Sequence, residues 1–130
     1  MEQSLQELRT LLKRIELIIA QHINYVDRLK KSLRDGEAFS HKKCTECAFG
    51  KLFYSEIWPN KDQYPLEISG LLENIERLHC DFHQKAFEIE SVATQEEKLK
   101  ILKEVEEYSM SLLNPLLSLR GKLKRLFNEG

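Results

Sequence analysis

Residues 5–33 read LQELRTLLKRIELIIAQHINYVDRLKKSL, and their apolar side chains recur at intervals of three and four residues. This period is the signature of an amphipathic helix. The stripe consists of Leu5, Leu8, Leu12, Ile15, Ile18, His22, Tyr25, Leu29 and Leu33. Because no glycine or proline interrupts the stripe before Gly36, we predict one helix over about residues 3–34.

Two further helices are predicted in the middle of the chain. Residues 35–44 lose the stripe and should form a connection, and a short helix should follow over about residues 45–57, ending before Pro59. A third helix should begin near Pro65, since proline suits the first turn of a helix. Its inner face consists of Ile68, Leu72, Ile75, His79, Phe82, Ala86 and Ile89.

A fourth helix is predicted after Thr94, because Thr94 and Glu97 have the spacing of a capping box. Its apolar stripe consists of Leu99, Leu102, Val105, Leu112, Leu116, Leu119, Leu123 and Leu126. Pro115 should kink or interrupt it. Three long helices and a short one predict an all-α fold, an antiparallel four-helix bundle in one domain over residues 1–130.

Composition excludes several classes of protein. The chain has 130 residues with 20 basic and 21 acidic side chains, a balance that argues against nucleic acid or an anionic membrane as the partner. No apolar run approaches the roughly 20 residues of a membrane span, and the first residues lack the pattern of a signal peptide. We therefore expect a cytoplasmic protein, whose three cysteines do not form a disulfide framework.

Histidines on the apolar stripes are the residues that point to a site. His79 and His83 are four residues apart, so they project from one face of a helix, where two imidazoles can hold one metal ion. His22 adds an inward-facing imidazole from the first helix. The alternative for each is a core histidine whose ring nitrogens are satisfied by hydrogen bonds.

Cys47 could supply a fourth ligand from the short helix. Three imidazoles and a thiolate suit tetrahedral Zn²⁺, whereas Mg²⁺, Ca²⁺ and di-iron centres need carboxylates. Gly50 lacks a Cβ and would let another helix or the metal approach closely.

A second interpretation starts from the Cys-x-x-Cys pair of Cys44 and Cys47, which alone suggests a zinc knuckle or a redox dithiol. The chain has no second such pair and no βαβ pattern around this one, so neither is favoured. We assign no ligand role to His41 or Cys44, and expect Cys80 to point away from the ligand face without a role.

Three segments together resemble the chemoreceptor zinc-binding (CZB) domain. They are HINY at residues 22–25, CAFGKL at residues 47–52 and HCDFH at residues 79–83, and their order and gaps match the family pattern. The resemblance implies Zn²⁺ ligation by His22, Cys47, His79 and His83. It also implies packing around the metal by Tyr25, Phe49, Gly50 and Leu52, the last standing where many members carry Trp.

The resemblance further implies a function. It indicates a cytoplasmic sensory or regulatory domain that responds to Zn²⁺, or to an oxidant such as hypochlorous acid through a zinc-bound cysteine. Family members act in bacterial signalling, such as chemotaxis or cyclic-di-GMP control, and tend to form homodimers. They are usually attached to chemoreceptor signalling helices or diguanylate cyclase domains, so this chain is either excised or stand-alone, and its output partner is open.

The number of protein ligands indicates whether the zinc centre could be catalytic. Four protein ligands would close the zinc shell and leave no position for an activated water, so we expect no enzyme activity. The alternative to a sensor is a structural helical interaction module that zinc only stabilises.

Overall fold

The computed structural model describes residues 2–128, which form helices and loops without a β-strand. The four α-helices are α1 (Glu2–Asp35), α2 (Ala48–Leu52), α3 (Leu66–Phe87) and α4 (Gln95–Leu126). α4 packs against both α1 and α3. The predicted all-α helical bundle is confirmed, and no helix within residues 2–128 has the length and apolar character of a membrane span.

α1 ends where the sequence predicts it should. Gly36 has φ +70°, the left-handed conformation in which a Cβ would be strained. The amide of Glu37 then donates to the carbonyl of Ser32 at 2.9 Å, which is the long hydrogen bond of a Schellman cap. The chain therefore leaves α1 in a fixed direction toward the segment that carries the cysteines.

The short second helix differs from the prediction at both ends. α2 begins at Ala48, so Cys47 is its N-cap rather than a residue within it. The path continues as a π-helical turn over Phe53–Ile57 and 3-10 turns over Trp58–Gln63. Pro59 does not end this path, because it lies in the first turn of the 3-10 segment, where a missing N–H leaves no bond unmade.

α4 begins after Thr94 and ends at Leu126, the last residue of its predicted stripe. The Thr94 hydroxyl accepts from the Glu97 amide at 3.1 Å, which caps the helix. The helix then runs through Pro115, so of the predicted kink or interruption the interruption does not occur. Leu112 and Leu116 are buried on either side of the proline, and their packing holds the helix across the missing hydrogen bond.

The core consists of two apolar clusters separated by histidines. The larger contains Ile18 of α1 and Ile75 of α3, and the smaller contains Tyr25 and Phe82 from the same two helices. Three predicted stripe residues, all near helix ends, are exposed: Leu5 (38%), Leu99 (50%) and Leu126 (40%).

Candidate metal centre

His22 presents a free nitrogen lone pair to the middle of the bundle. Its Nδ1–H donates to the Ile18 carbonyl at 2.9 Å, which leaves Nε2 as the unprotonated atom. Nε2 is buried and has no hydrogen-bond partner. A backbone carbonyl that fixes the tautomer in this way is the usual support of a metal-binding imidazole.

His79 and His83 complete a group of three imidazoles. Both are buried in α3, with ring centroids 4.7 Å apart, and both ring nitrogens of His83 lack a hydrogen-bond partner. Burial, followed by the charges of neighbouring imidazoles, lowers the pKa of His79 to about 2 and that of His83 to about 4. Both rings are therefore neutral at pH 7, the form that binds a metal ion.

Cys47 is the remaining donor, held at the N-terminus of α2. Its Sγ accepts from the Gly50 amide at 3.3 Å and lies 3.2 Å from Nε2 of His79. Burial raises the pKa of the Cys47 thiol, and the hydrogen bond from Gly50 opposes that shift. A bound cation would favour the thiolate further.

Gly50 allows a close approach, but of a different group from the one predicted. A Cβ there would overlap the carbonyl oxygen of Cys44, rather than another helix or a metal. The backbone ahead of α2 is thus folded tightly onto its first turn, and this fold places Cys47.

The structure brings the four predicted residues together. The candidate donor atoms of His22, Cys47, His79 and His83 all lie within 4.8 Å of one another. Tetrahedral Zn²⁺ with bonds of about 2.0–2.3 Å needs roughly 3.3–3.8 Å between donors, so the most distant donors must approach each other by roughly 1.0–1.5 Å, a change that two side chains can share. A buried polar atom without a partner costs about 1–3 kcal/mol, a cost that a metal bond would relieve at His22 and His83. The residues fit Zn²⁺, and their role as ligands stays a prediction.

Aromatic rings enclose the donors. Tyr25 packs edge-on against His83 with ring centroids 5.0 Å apart, and Phe49 packs against His79 at 4.9 Å. Leu52 packs with the larger cluster. A cavity of about 160 Å³ reaches the donors beside Arg28 and Lys42.

His41 lies outside the donor group, as the sequence analysis expects. Its Nε2 lies 2.9 Å from a carboxylate oxygen of Glu90, and its ring packs between Phe39 and Phe87. Its contacts bind the loop after α1 to the end of α3.

The cysteines depart from the prediction. Cys44 and Cys80 form a disulfide, and Cys47 is a free thiol. One bridge thus forms where no disulfide framework is predicted, and the expectation that Cys80 has no role is wrong. The reason is that the segment ahead of α2 folds back onto α3, which local spacing cannot reveal. The sequence feature that could have indicated this bridge is the number of cysteines, since three cysteines permit one disulfide and one free thiol. Donor atoms of Cys44, Cys80 and His79 also lie within 4.8 Å of one another.

A helical bundle with three imidazoles and a thiol converging in its core defines a metal-binding helical domain. The family model of the chemoreceptor zinc-binding domain matches residues 22–90, more than half of the chain, and the chain belongs to this family. The match begins at the first predicted ligand and includes the other three. No curated protein and no solved structure matches the chain.

Proposed function

We propose that this chain is a zinc-binding regulatory domain of bacterial signalling, with His22, Cys47, His79 and His83 as the ligands. One observation carries the proposal: donors from α1, α3 and the N-cap of α2 converge within 4.8 Å, while the buried lone pair of His22 Nε2 has no other partner. Membership of a zinc-binding family supports the choice of metal.

The donor set favours regulation over catalysis. Bound Zn²⁺ would have a complete four-ligand shell and would hold Cys47 as the thiolate, without a position for a reactive water. Cys47 is then the ligand that can react with an oxidant, because a thiolate is the form that oxidants attack.

Cys47 is placed to respond to an oxidant. The cavity of about 160 Å³ that it lines also carries Arg28 and Lys42, whose charges attract an anion such as hypochlorite. In the net reaction with hypochlorous acid, the thiolate sulfur gains the hydroxyl group and becomes a sulfenic acid, while the O–Cl bond breaks and the chlorine leaves as chloride with the two electrons that the sulfur loses. The added oxygen must enter a space where His79 Nε2 lies only 3.2 Å from the sulfur. The first turn of α2 would then have to move away.

The proposal also includes the location, oligomeric state and output of the domain. It acts in the cytoplasm as a homodimer and controls an output such as chemotaxis or cyclic-di-GMP turnover, as family membership suggests. Met110 and Leu117 of α4 are exposed by 71% and 38% and supply apolar surface for a second copy. Sedimentation should give a mass near twice the 15.3 kDa of one chain.

The decisive experiment compares the metal content of the purified chain with that of two variants. We expect about one Zn²⁺ per wild-type chain, at least tenfold weaker binding in Cys47→Ala, and unchanged binding in the matched control His41→Gln. The control alters a histidine that packs nearby but lies outside the donor group.

Two results would contradict the proposal. If Cys47→Ala binds Zn²⁺ as tightly as the wild type, the assigned ligand set is wrong. If the wild type is purified metal-free, stays folded and takes up no added Zn²⁺, the chain is a plain helical interaction module.

A further inference from the structure

We propose that Cys44 and Cys80 form a second redox site, whose oxidation to the disulfide clamps the Cys47 segment onto α3 and tightens Zn²⁺ binding. The inference deepens the proposed function and rests on it, since the clamp acts on the zinc centre. Neither cysteine belongs to the proposed ligand set.

The disulfide joins the two segments that carry neighbouring donors. Cys44 lies three residues before Cys47, and Cys80 directly follows His79. The donors on these segments, Cys47 Sγ and His79 Nε2, are 3.2 Å apart. The carbonyl of Cys44 rests against Gly50 and lies 3.7 Å from Cys47 Sγ, so fixing Cys44 also fixes the position of the thiol.

The contacts of His41 with Glu90 and Phe87 anchor the loop farther back, but between His41 and Cys47 the segment ahead of α2 is otherwise held by weak or local contacts. The Lys43 amide donates to the Glu46 carboxylate at 2.7 Å, and the Glu46 amide donates to the Lys43 carbonyl at 2.9 Å, both within one exposed turn. The Lys42 amide reaches the Tyr25 hydroxyl at a long 3.4 Å. Without the disulfide, Zn²⁺ binding must order this segment at the cost of its conformational freedom.

A groove of about 560 Å³ gives small molecules access to the disulfide. Cys44, Cys80 and Phe87 line it together with Lys42, Lys43 and Glu88, and because Glu88 pairs with Lys85 at 3.4 Å, the two lysines leave the lining positive. This lining suits a small, anionic thiol or disulfide better than a neutral one. Oxidised glutathione, which carries carboxylates, has that chemistry.

The reaction is a thiol–disulfide exchange with a low-molecular-weight disulfide. A thiolate of the pair attacks one sulfur of the reagent, forming a mixed disulfide and releasing one small thiol. The second protein thiol then attacks, forming the Cys44–Cys80 bond and releasing the other small thiol. Two electrons and two protons pass from the cysteines to the reagent. In the reverse direction, the departing Cys80 sulfur lies 3.1 Å from the Tyr54 hydroxyl, which donates a hydrogen bond to it.

The test uses the full chain in two redox states. After treatment with oxidised glutathione and denaturation without reductant, we expect one free thiol and a cross-linked peptide that joins residues 44 and 80; after reduction, we expect three thiols. Competition with a chromophoric chelator should show that the oxidised chain binds Zn²⁺ about tenfold more tightly than the reduced chain, as preorganisation requires.

The double variant Cys44→Ala with Cys80→Ala is the matched control, because it keeps Cys47 and lacks the clamp. Its Zn²⁺ affinity should equal that of the reduced wild type and should not change with oxidation. Equal affinities in the two wild-type states, or a cross-link to residue 47, would overturn the inference while leaving the zinc centre intact. A wild-type chain that binds no Zn²⁺ in either state would refute the proposed function as well.

Discussion

At Gly50, the missing side chain decides whether the Cys47 segment can reach the metal centre. A Cβ there would overlap the Cys44 carbonyl oxygen, so Gly50→Ala must push the backbone at Cys44 away from the first turn of α2. We expect a loss of about 1–3 kcal/mol in the free energy of unfolding, typical of overpacking, and roughly tenfold weaker Zn²⁺ binding. Urea unfolding and chelator competition measure the two effects.

Gly70 offers the matched control for that substitution. It is exposed within α3, and a Cβ added there meets no atom within 4 Å. Gly70→Ala should therefore leave Zn²⁺ affinity unchanged and raise stability by up to about 1 kcal/mol, because alanine favours the helix. If both alanine variants behave alike, close packing at Gly50 does not position Cys47.

The buried imidazoles predict how the zinc-free chain responds to acid. Burial lowers the pKa of His22, His79 and His83 from 6.5, so below that pH the unfolded chain binds more protons than the folded one. Stability is fully present above pH 6.5 and falls toward pH 5, by at most about 1.4 kcal/mol per pH unit for each histidine.

Urea unfolding of the chelator-treated chain between pH 7.5 and 5 checks this slope. His83→Gln should show a shallower dependence, since one titrating group is gone. A free energy of unfolding that is flat over this interval would mean that the three rings are not buried as neutral groups.

The sequence marks two of the four candidate ligands because polar side chains interrupt apolar stripes, whereas His83 follows from its four-residue spacing to His79 and Cys47 from the family motif. His22 and His79 occupy positions that the helical period reserves for buried residues, and both are buried. Cys44 and Cys80 carry no such mark, because their meeting depends on how an irregular segment folds back across 36 residues. Periodicity reports which face of a helix is buried, and it does not report the path of a loop.

Among the features of single helices, the N-cap of α4 at Thr94 is one whose contribution to the free energy of unfolding a point substitution can measure. Its hydroxyl accepts from the Glu97 amide, which otherwise has no partner in the first turn of α4. Thr94→Ala should lower the free energy of unfolding by about 1 kcal/mol. Thr10→Ala, within α1, should be neutral or slightly stabilising, because alanine has the higher helix propensity. Equal effects in urea unfolding would contradict a specific role for the cap.

The sequence predicts the long helices more accurately than the short ones. α1, α3 and α4 repeat their apolar pattern over many turns, and their bounds follow from Gly36, Pro65 and Thr94. The path over residues 48–63 changes from α to π to 3-10 geometry within a few residues. Packing of Phe53 and Ile57 into the larger cluster selects those turns, and no local signal encodes it.

For the whole molecule, the candidate metal centre lies between two apolar clusters that are stabilised differently. The larger cluster includes Leu8 and Leu123 and holds α1 and α4 together without any contribution from the histidines. The segment over residues 37–47 adds only Phe39 to the smaller cluster, and its other contacts with the bundle are made mainly by His41, Cys44 and Cys47. Removing the metal should therefore loosen this segment before it loosens the helices.

Hydrogen exchange on the reduced, zinc-loaded chain tests this order. With chelator, amides over residues 37–50 should exchange at least tenfold faster, while those near Leu8 and Leu123 keep their protection, because local opening costs less than global unfolding. Cys47→Ala should show the fast rates with or without chelator. If protection falls evenly over the whole chain, zinc is a structural stabiliser of one cooperative unit. A regulatory domain requires faster exchange in residues 37–50 alone. A metal can drive an output only if one element changes its conformation while the rest of the domain stays folded.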